Sequence, residues 1–162
     1  MIHIFVYGTL KRGYGNFNRY CTSACSIKPA RVWGRLYQLP QGYPMLAVPV
    51  GQMLAMGTGH PAEDEQLQHA WRQRPADDAN DGPWELISGE VLSFPDAESC
   101  LPPLDALEDF RPPERQTYHR VLLHTEPPGP PAVWAYVAPN GKLPAGARRI
   151  GTSWPPEESP AE

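Results

Sequence analysis

Enzymatic chemistry needs a nucleophile, an acid or base, or a set of metal ligands, and these 162 residues offer few of them. There is no Gly-x-Ser-x-Gly elbow and no His-Glu-x-x-His pair. The histidines are scattered, with His60 and His69 apart from the rest and His119 and His124 on opposite faces of one expected strand, so no metal site is expected. Cys21, Cys25 and Cys100 make an odd count without a Cys-x-x-Cys, which reads as reduced structural thiols. A lone carboxylate is what remains. Glu108 follows Leu104 and Leu107, which would bury one helical face, and it stands where Phe110 and the pair Pro112-Pro113 close off the turn. That placement suits an acid held at a cavity mouth. On pattern alone a solvated glutamate at a helix end is the better reading.

The second candidate is the opening stretch, Ile2-His3-Ile4-Phe5-Val6-Tyr7-Gly8-Thr9-Leu10-Lys11-Arg12-Gly13. Its first six residues are β-branched, aromatic and apolar on both alternating faces except at His3, as in a strand buried on two sides. Gly8 then lets the chain turn sharply. A strand that delivers a turn of N–H groups can hold an anionic group, or it can simply be leaving the sheet. The glycines make neither a phosphate loop, since no Gly-Lys-Ser/Thr follows, nor a dinucleotide fingerprint.

These candidates need elements to position them. One domain is expected over residues 1–154, with a disordered tail at 155–162. The 21 prolines are far above the usual ~5% share and imply many turns with little long helix. A net charge of −4 without a basic stripe argues against a nucleic-acid partner. No apolar run approaches the ~20 residues of a membrane helix, and Ile2 to Tyr7 is too short for a secretory leader, so a cytoplasmic protein is expected. Asn16 should cap a short helix over 17–21. A long strand is expected over 25–39, a turn over 40–44, and over 45–50 a short strand that Pro49 places at an edge. Residues 57–83 read as an insertion. A helix over 62–74 would carry Leu67, Ala70 and Trp71 on one face, and an acidic stretch over 76–83 would follow. Glu63, Asp64 and Glu65, with Asp77, Asp78 and Asp81, would make a negative rim favouring cationic groups if the insertion lies beside a cavity; otherwise it is a solvated loop. A strand over 86–94 follows, with Gly89 as a bulge or close approach. Asp96 caps the next helix, which Pro102 and Pro103 should interrupt before a further turn over 104–110. Residues 118–125 and 132–138 should pair as a hairpin, and Ile150 to Trp154 should dock. The layout is α+β, with a small mixed, mostly antiparallel β-barrel and short helices.

Tyr7-Gly8-Thr9-Leu10-Lys11-Arg12-Gly13 near the start resembles the signature of the γ-glutamylcyclotransferase-like, or AIG2-like, family. The likeness recurs at Gly34-Arg35-Leu36-Tyr37, Tyr43-Pro44, Ser88-Gly89-Glu90-Val91, Leu104-Asp105-Ala106-Leu107-Glu108, Tyr118-His119-Arg120 and Ala135-Tyr136-Val137. The Leu-Asp-x-x-Glu form and Tyr-Gly-Thr-Leu look most like the γ-glutamylamine branch.

The resemblance implies a cavity-bearing barrel and a cofactor-free reaction of acyltransferase or amidine-lyase type. In it a γ-glutamyl compound's own α-amine attacks its γ-carbonyl, closing 5-oxoproline and expelling an amine. It places Glu108 as general acid/base and the backbone of Tyr7, Gly8, Thr9 and Leu10 around the substrate's carboxylate or oxyanion. Tyr118 would orient the glutamyl group, Tyr43, Pro44 and Tyr136 would wall the cavity, and Arg120 would pair with an acidic group. The implied partner is a small γ-glutamyl substrate, with no nucleic acid or membrane, on a monomer or weak homodimer. The alternative is a metabolite-binding domain that keeps the cavity without turnover.

Overall fold

The computed structural model describes residues 1–71, 84–112 and 117–156. Its elements run β1 (Ile2–Val6), α1 (Gly15–Tyr20), β2 (Ser26–Gln38), β3 (Pro44–Ala47), β4 (Met53–Met56), α2 (Pro61–Ala70), β5 (Glu85–Phe94), α3 (Ala97–Leu107), β6 (His119–Leu123), β7 (Val133–Val137) and β8 (Arg148–Arg149). The strands form one sheet in the order β3-β2-β5-β1-β7-β6-β4, with β8 on β2. All the pairings are antiparallel except β1 with β7, which is parallel at Ile4 and Trp134. The sheet curls until β3 meets the end of β7, where the Ala138 N–H donates to the Leu46 carbonyl at 2.8 Å. This is the expected α+β architecture, a curled, barrel-like sheet with short helices.

Alternation along the strands builds two cores. Ile2, Ile4 and Val6 of β1 face Leu92, Phe94, Leu101, Leu104 and Trp134 under the helices. Phe5 and Tyr7 face Val32, Leu36, Leu46, Val91 and Val133 inside the curl. β1 is therefore buried on both faces, as its run of apolar residues requires, and it ends in the curled interior. Gly89 sits where a Cβ would lie 2.3 Å from the Val6 carbonyl oxygen, so it marks the expected close approach.

Four local expectations change. Asn16 does not cap α1, whose N-cap is Tyr14; its amide instead donates to Thr9 Oγ1 at 2.8 Å. Pro102 and Pro103 do not break α3, which runs continuously from Ala97 to Leu107. Both prolines are exposed, so the carbonyls of Glu98 and Ser99 that lose their N–H partners face water. In α2 the buried residues are Asp64 and Gln68, one turn apart, while Trp71 stands exposed. Gln68 explains that choice: its amide accepts from the His3 N–H at 2.9 Å and donates to the His3 carbonyl at 2.7 Å, completing β1 as a neighbouring strand would. β4 is an additional strand; Met-Leu-Ala-Met does not alternate, and it pairs with β6 through an irregular register between Met53 and Ala55. The acidic stretch 76–83 and the last residues of the tail lie outside the described residues.

Candidate active site

Glu108 owes its position to how α3 stops. Asp109 takes a left-handed conformation (φ 55°), the Asp109 N–H donates to the Ala106 carbonyl, and the Phe110 N–H donates to the Asp105 carbonyl at 2.9 Å. This is a Schellman closure with aspartate where glycine is usual. Asp109 holds it by accepting hydrogen bonds from Thr117 and Arg111. Phe110 then drops into the core, and Glu108 is left as the C-cap residue, directed to a cavity.

The cavity holds about 320 Å³. Tyr7, Gly8, Thr9, Leu10, Pro44, Glu108, Tyr118 and Tyr136 all line it, so every residue singled out in the sequence as a site candidate stands on one cavity. Phe5, Val6, Asn16, Tyr43 and Leu107 complete the lining. Phe5, Val6, Asn16 and Leu107 are not expected from the sequence as lining residues, because nothing in β1, α1 or α3 says which side faces a void.

The wall is held together by the hydroxyls of its own tyrosines. Tyr7 donates to the Tyr136 carbonyl at 2.6 Å and accepts from the Leu46 N–H at 3.2 Å. Tyr118 donates to the Pro44 carbonyl at 3.0 Å, and Tyr136 donates to Asp105 at 2.7 Å. Pro44 also explains Gly8, since a Cβ there would lie 2.5 Å from the proline ring. The glycine is needed for packing across the cavity floor.

Behind Tyr136 lies a buried ionic network. Arg120 forks onto both oxygens of Asp105 at 2.8 and 3.0 Å, and its third nitrogen lies 2.8 Å from Asp64. Its side chain is fully buried between the Phe110 and Trp134 rings, each 5.0 Å away. Burial works against the guanidinium's charge, but the Asp105 hydrogen bonds and the flanking carboxylates outweigh it and raise its pKa. Gly57 makes room, because a Cβ there would meet Arg120 at 2.9 Å. Arg120 thus pairs with acids as expected. Asp64 is a correction: it is buried, accepts from the Thr58 N–H and hydroxyl, and belongs to no exposed rim.

Removal from water pushes the pKa of Glu108 from 4.5 up to about 7. Among the described residues that line the cavity, Glu108 is the one carboxylate, and none is a lysine or arginine. The buried thiols of Cys21 and Cys100 are pushed up to about 12 by desolvation and are inert near neutrality. Among the described residues no cluster of His, Cys, Asp or Glu could hold a metal, and no helix is long and apolar enough to cross a membrane.

The family model for "Gamma-glutamyl cyclotransferase, AIG2-like" matches residues 4–70. The match covers less than half of the chain and is a likeness to that family over residues 4–70. No curated protein matches significantly. Among solved structures, YkqA from Bacillus subtilis superposes with a TM-score of 0.52 at 21% identity, over 92% of this chain and 37% of that one, a likeness of fold. The chain therefore spans about a third of that protein's length. An AIG2-like protein from Mus musculus aligns over 87% of this chain and 82% of its own, with 22% identity and a TM-score of 0.43.

Proposed function

We propose that this protein is a cofactor-free cyclotransferase that cleaves γ-glutamyl amines, with Glu108 as the acid/base. The observation that carries the reading is Glu108, the single carboxylate among the described lining residues, standing on the cavity with its pKa raised to about 7.

The reaction is tethered, so little is gained by bringing the partners together and much by folding the substrate for attack. The α-ammonium must first lose a proton. Its pKa is ~8, so transfer to a carboxylate at 4.5 would cost about 5 kcal/mol, whereas transfer to one near 7 costs about 1 kcal/mol. The freed amine attacks the γ-carbonyl and forms the lactam C–N bond. Glu108 passes its proton to the leaving nitrogen, whose bond to carbon breaks, and a second proton follows from the attacking nitrogen by the same route. The two protons lost by the α-ammonium end on the expelled amine, leaving 5-oxoproline and an unchanged carboxylate. The turn at Gly8–Leu10 would hold the substrate's α-carboxylate or the developing oxyanion through N–H groups.

The test is release of 5-oxoproline from a panel of γ-glutamyl amines. Wild type should turn over at least one, and Glu108→Gln should lose about 10²–10⁴ in rate. Equal rates would remove Glu108 from the mechanism, and no release from any substrate would leave a binding domain.

A further inference from the structure

We propose that Asp64, which lies on α2 and off the cavity, is a positioning residue for the site: through Arg120 and Asp105 it fixes the Tyr136 side chain that forms part of the cavity wall. That Tyr136 serves turnover rests on the cyclotransferase reading; the coupling of Asp64 to Tyr136 does not.

Arg120 paired with Asp105 alone would be neutral and well satisfied. Asp64 adds a second carboxylate, with its side chain fully buried and Oδ2 2.8 Å from Arg120 Nη1. The network therefore holds two acids for one cation, and buried charge in excess is tolerated only where hydrogen bonds are donated to it. Thr58 serves Asp64, with its N–H at 3.0 Å and its hydroxyl at 2.8 Å from Oδ1. Asp105 is served by the Tyr136 hydroxyl, which donates to Oδ1 at 2.7 Å beside Arg120 Nε. Because the cation is divided between two carboxylates, Asp105 keeps more of its charge and the phenol's bond to it is charge-assisted. Neutralising Asp64 would hand the whole cation to Asp105 and weaken its hold on Tyr136. Asp64 also anchors the far end of the guanidinium, and it is itself held from outside the network, since its carbonyl accepts from the Trp134 indole at 3.2 Å.

Tyr136 carries this hold into the cavity wall. Its carbonyl accepts from the Tyr7 hydroxyl at 2.6 Å, and that hydroxyl in turn accepts from the Leu46 N–H at 3.2 Å. Tyr7 and Tyr136 line the same cavity as Glu108. Desolvation is what lifts Glu108, so the network does not set its affinity for a proton. What the network sets is the wall against which a substrate is folded, and in a tethered reaction that fold decides how often the amine lies in line for attack. Although no residue of α2 lines the cavity, the helix is in this way part of the site.

The experiment reads Tyr136 directly and then through turnover. In protein labelled with carbon-13 at tyrosine Cζ, the Tyr136 NMR signal is the one that Tyr136→Phe removes. Asp64→Asn, which keeps the shape and can still accept from Thr58, should shift that signal, while those of Tyr14, Tyr20 and Tyr37, outside this chain of bonds, should stay. Thr58→Val keeps the ion pairs and removes one hydroxyl from Asp64; it should shift the same signal by less, and it serves if Asp64→Asn fails to fold. In 5-oxoproline release from N-butyl γ-glutamyl amide, Asp64→Asn should lower kcat by about threefold to tenfold, the weight of one hydrogen bond. In a Tyr136→Phe background the same change should lower kcat by less than about twofold, because its route to the cavity is already cut. A merely structural role would give the same loss in both backgrounds. An unmoved Tyr136 signal, or equal losses with and without the Tyr136 hydroxyl, would overturn the proposal. A signal that moves as described, in a wild type that releases no 5-oxoproline, would retain the Asp64–Tyr136 coupling and discard the cyclotransferase reading.

Discussion

Replacing Glu108 by Gln should stabilise the protein while removing its turnover, and the stabilisation should depend on pH in one direction. In the unfolded chain this carboxyl titrates at 4.5, and in the fold at about 7. Between those values the folded protein binds a proton that the unfolded chain has lost. Stability therefore falls as pH rises through this window, and the full cost is reached above pH 7. At 1.36 kcal/mol per pKa unit the displacement corresponds to about 3 kcal/mol. The carboxyl opens onto a cavity, so roughly 2 kcal/mol is a fairer expectation. Glutamine has nearly the same shape and no charge to desolvate, so at pH 8 the variant should be more stable by that amount. For a chain of 162 residues this raises Tm by about 4–8 °C. At pH 4 both forms are neutral at this position and the melting curves should nearly coincide. Thermal denaturation of both proteins at pH 4, 6 and 8 measures this directly. A difference that does not change with pH, or a wild type that is the more stable at pH 8, would refute the claim that burial of a charge raises the Glu108 pKa.

Two further outcomes follow from named contacts. Arg120→Met leaves Asp64 and Asp105 buried without their cation and should lower the unfolding free energy by about 3–5 kcal/mol in urea titrations; an undiminished midpoint would mean the network is not structural. Trp154 donates its indole N–H to the Gly42 carbonyl, packs at a tilt against Tyr14 with ring centroids 5.4 Å apart and receives the Lys11 ammonium at its own carbonyl, so it ties together the two loops beside the cavity. Trp154→Ala should raise KM for a γ-glutamyl amine about fivefold while kcat changes little; an unchanged KM would show that the tie does not order the site.

What could be read from the chain was whatever local pattern dictates. Ile2 to Tyr7 could be placed because a run apolar on both faces has few homes other than a central strand, and Asp96 because a side-chain oxygen two residues before an N–H needs no tertiary context. The lining residues Gly8, Pro44, Glu108, Tyr118 and Tyr136 came from motif resemblance, since no periodicity says that five distant positions share one void. What escaped was set by partners far away. Asp64 reads as one acid in an acidic run, and only Arg120, 56 positions later, makes it a buried residue. Pro102 and Pro103 read as a break, yet water on the outer face of α3 supplies what their missing N–H groups do not. Asn16 reads as a cap, and Thr9 takes its amide instead.

Asp105 and Glu108 show how one helix end sets two acids to different tasks. They are three residues apart, close enough that two free carboxylates would disturb each other. The Schellman closure separates them: the Phe110 N–H anchors the Asp105 carbonyl, and the Phe110 ring lies against the guanidinium that Asp105 binds. Closing the helix and burying the cation are thus one event. Asp105 comes out of it paired and facing the network, where it fixes the proton of Tyr136. Glu108, the residue after the last helical turn, is carried past the network to the cavity, where desolvation rather than a partner governs it. An acid whose neighbours' charges are already spoken for can be tuned by burial alone, which is how a site with a single ionisable carboxylate among its described lining residues can work near neutral pH.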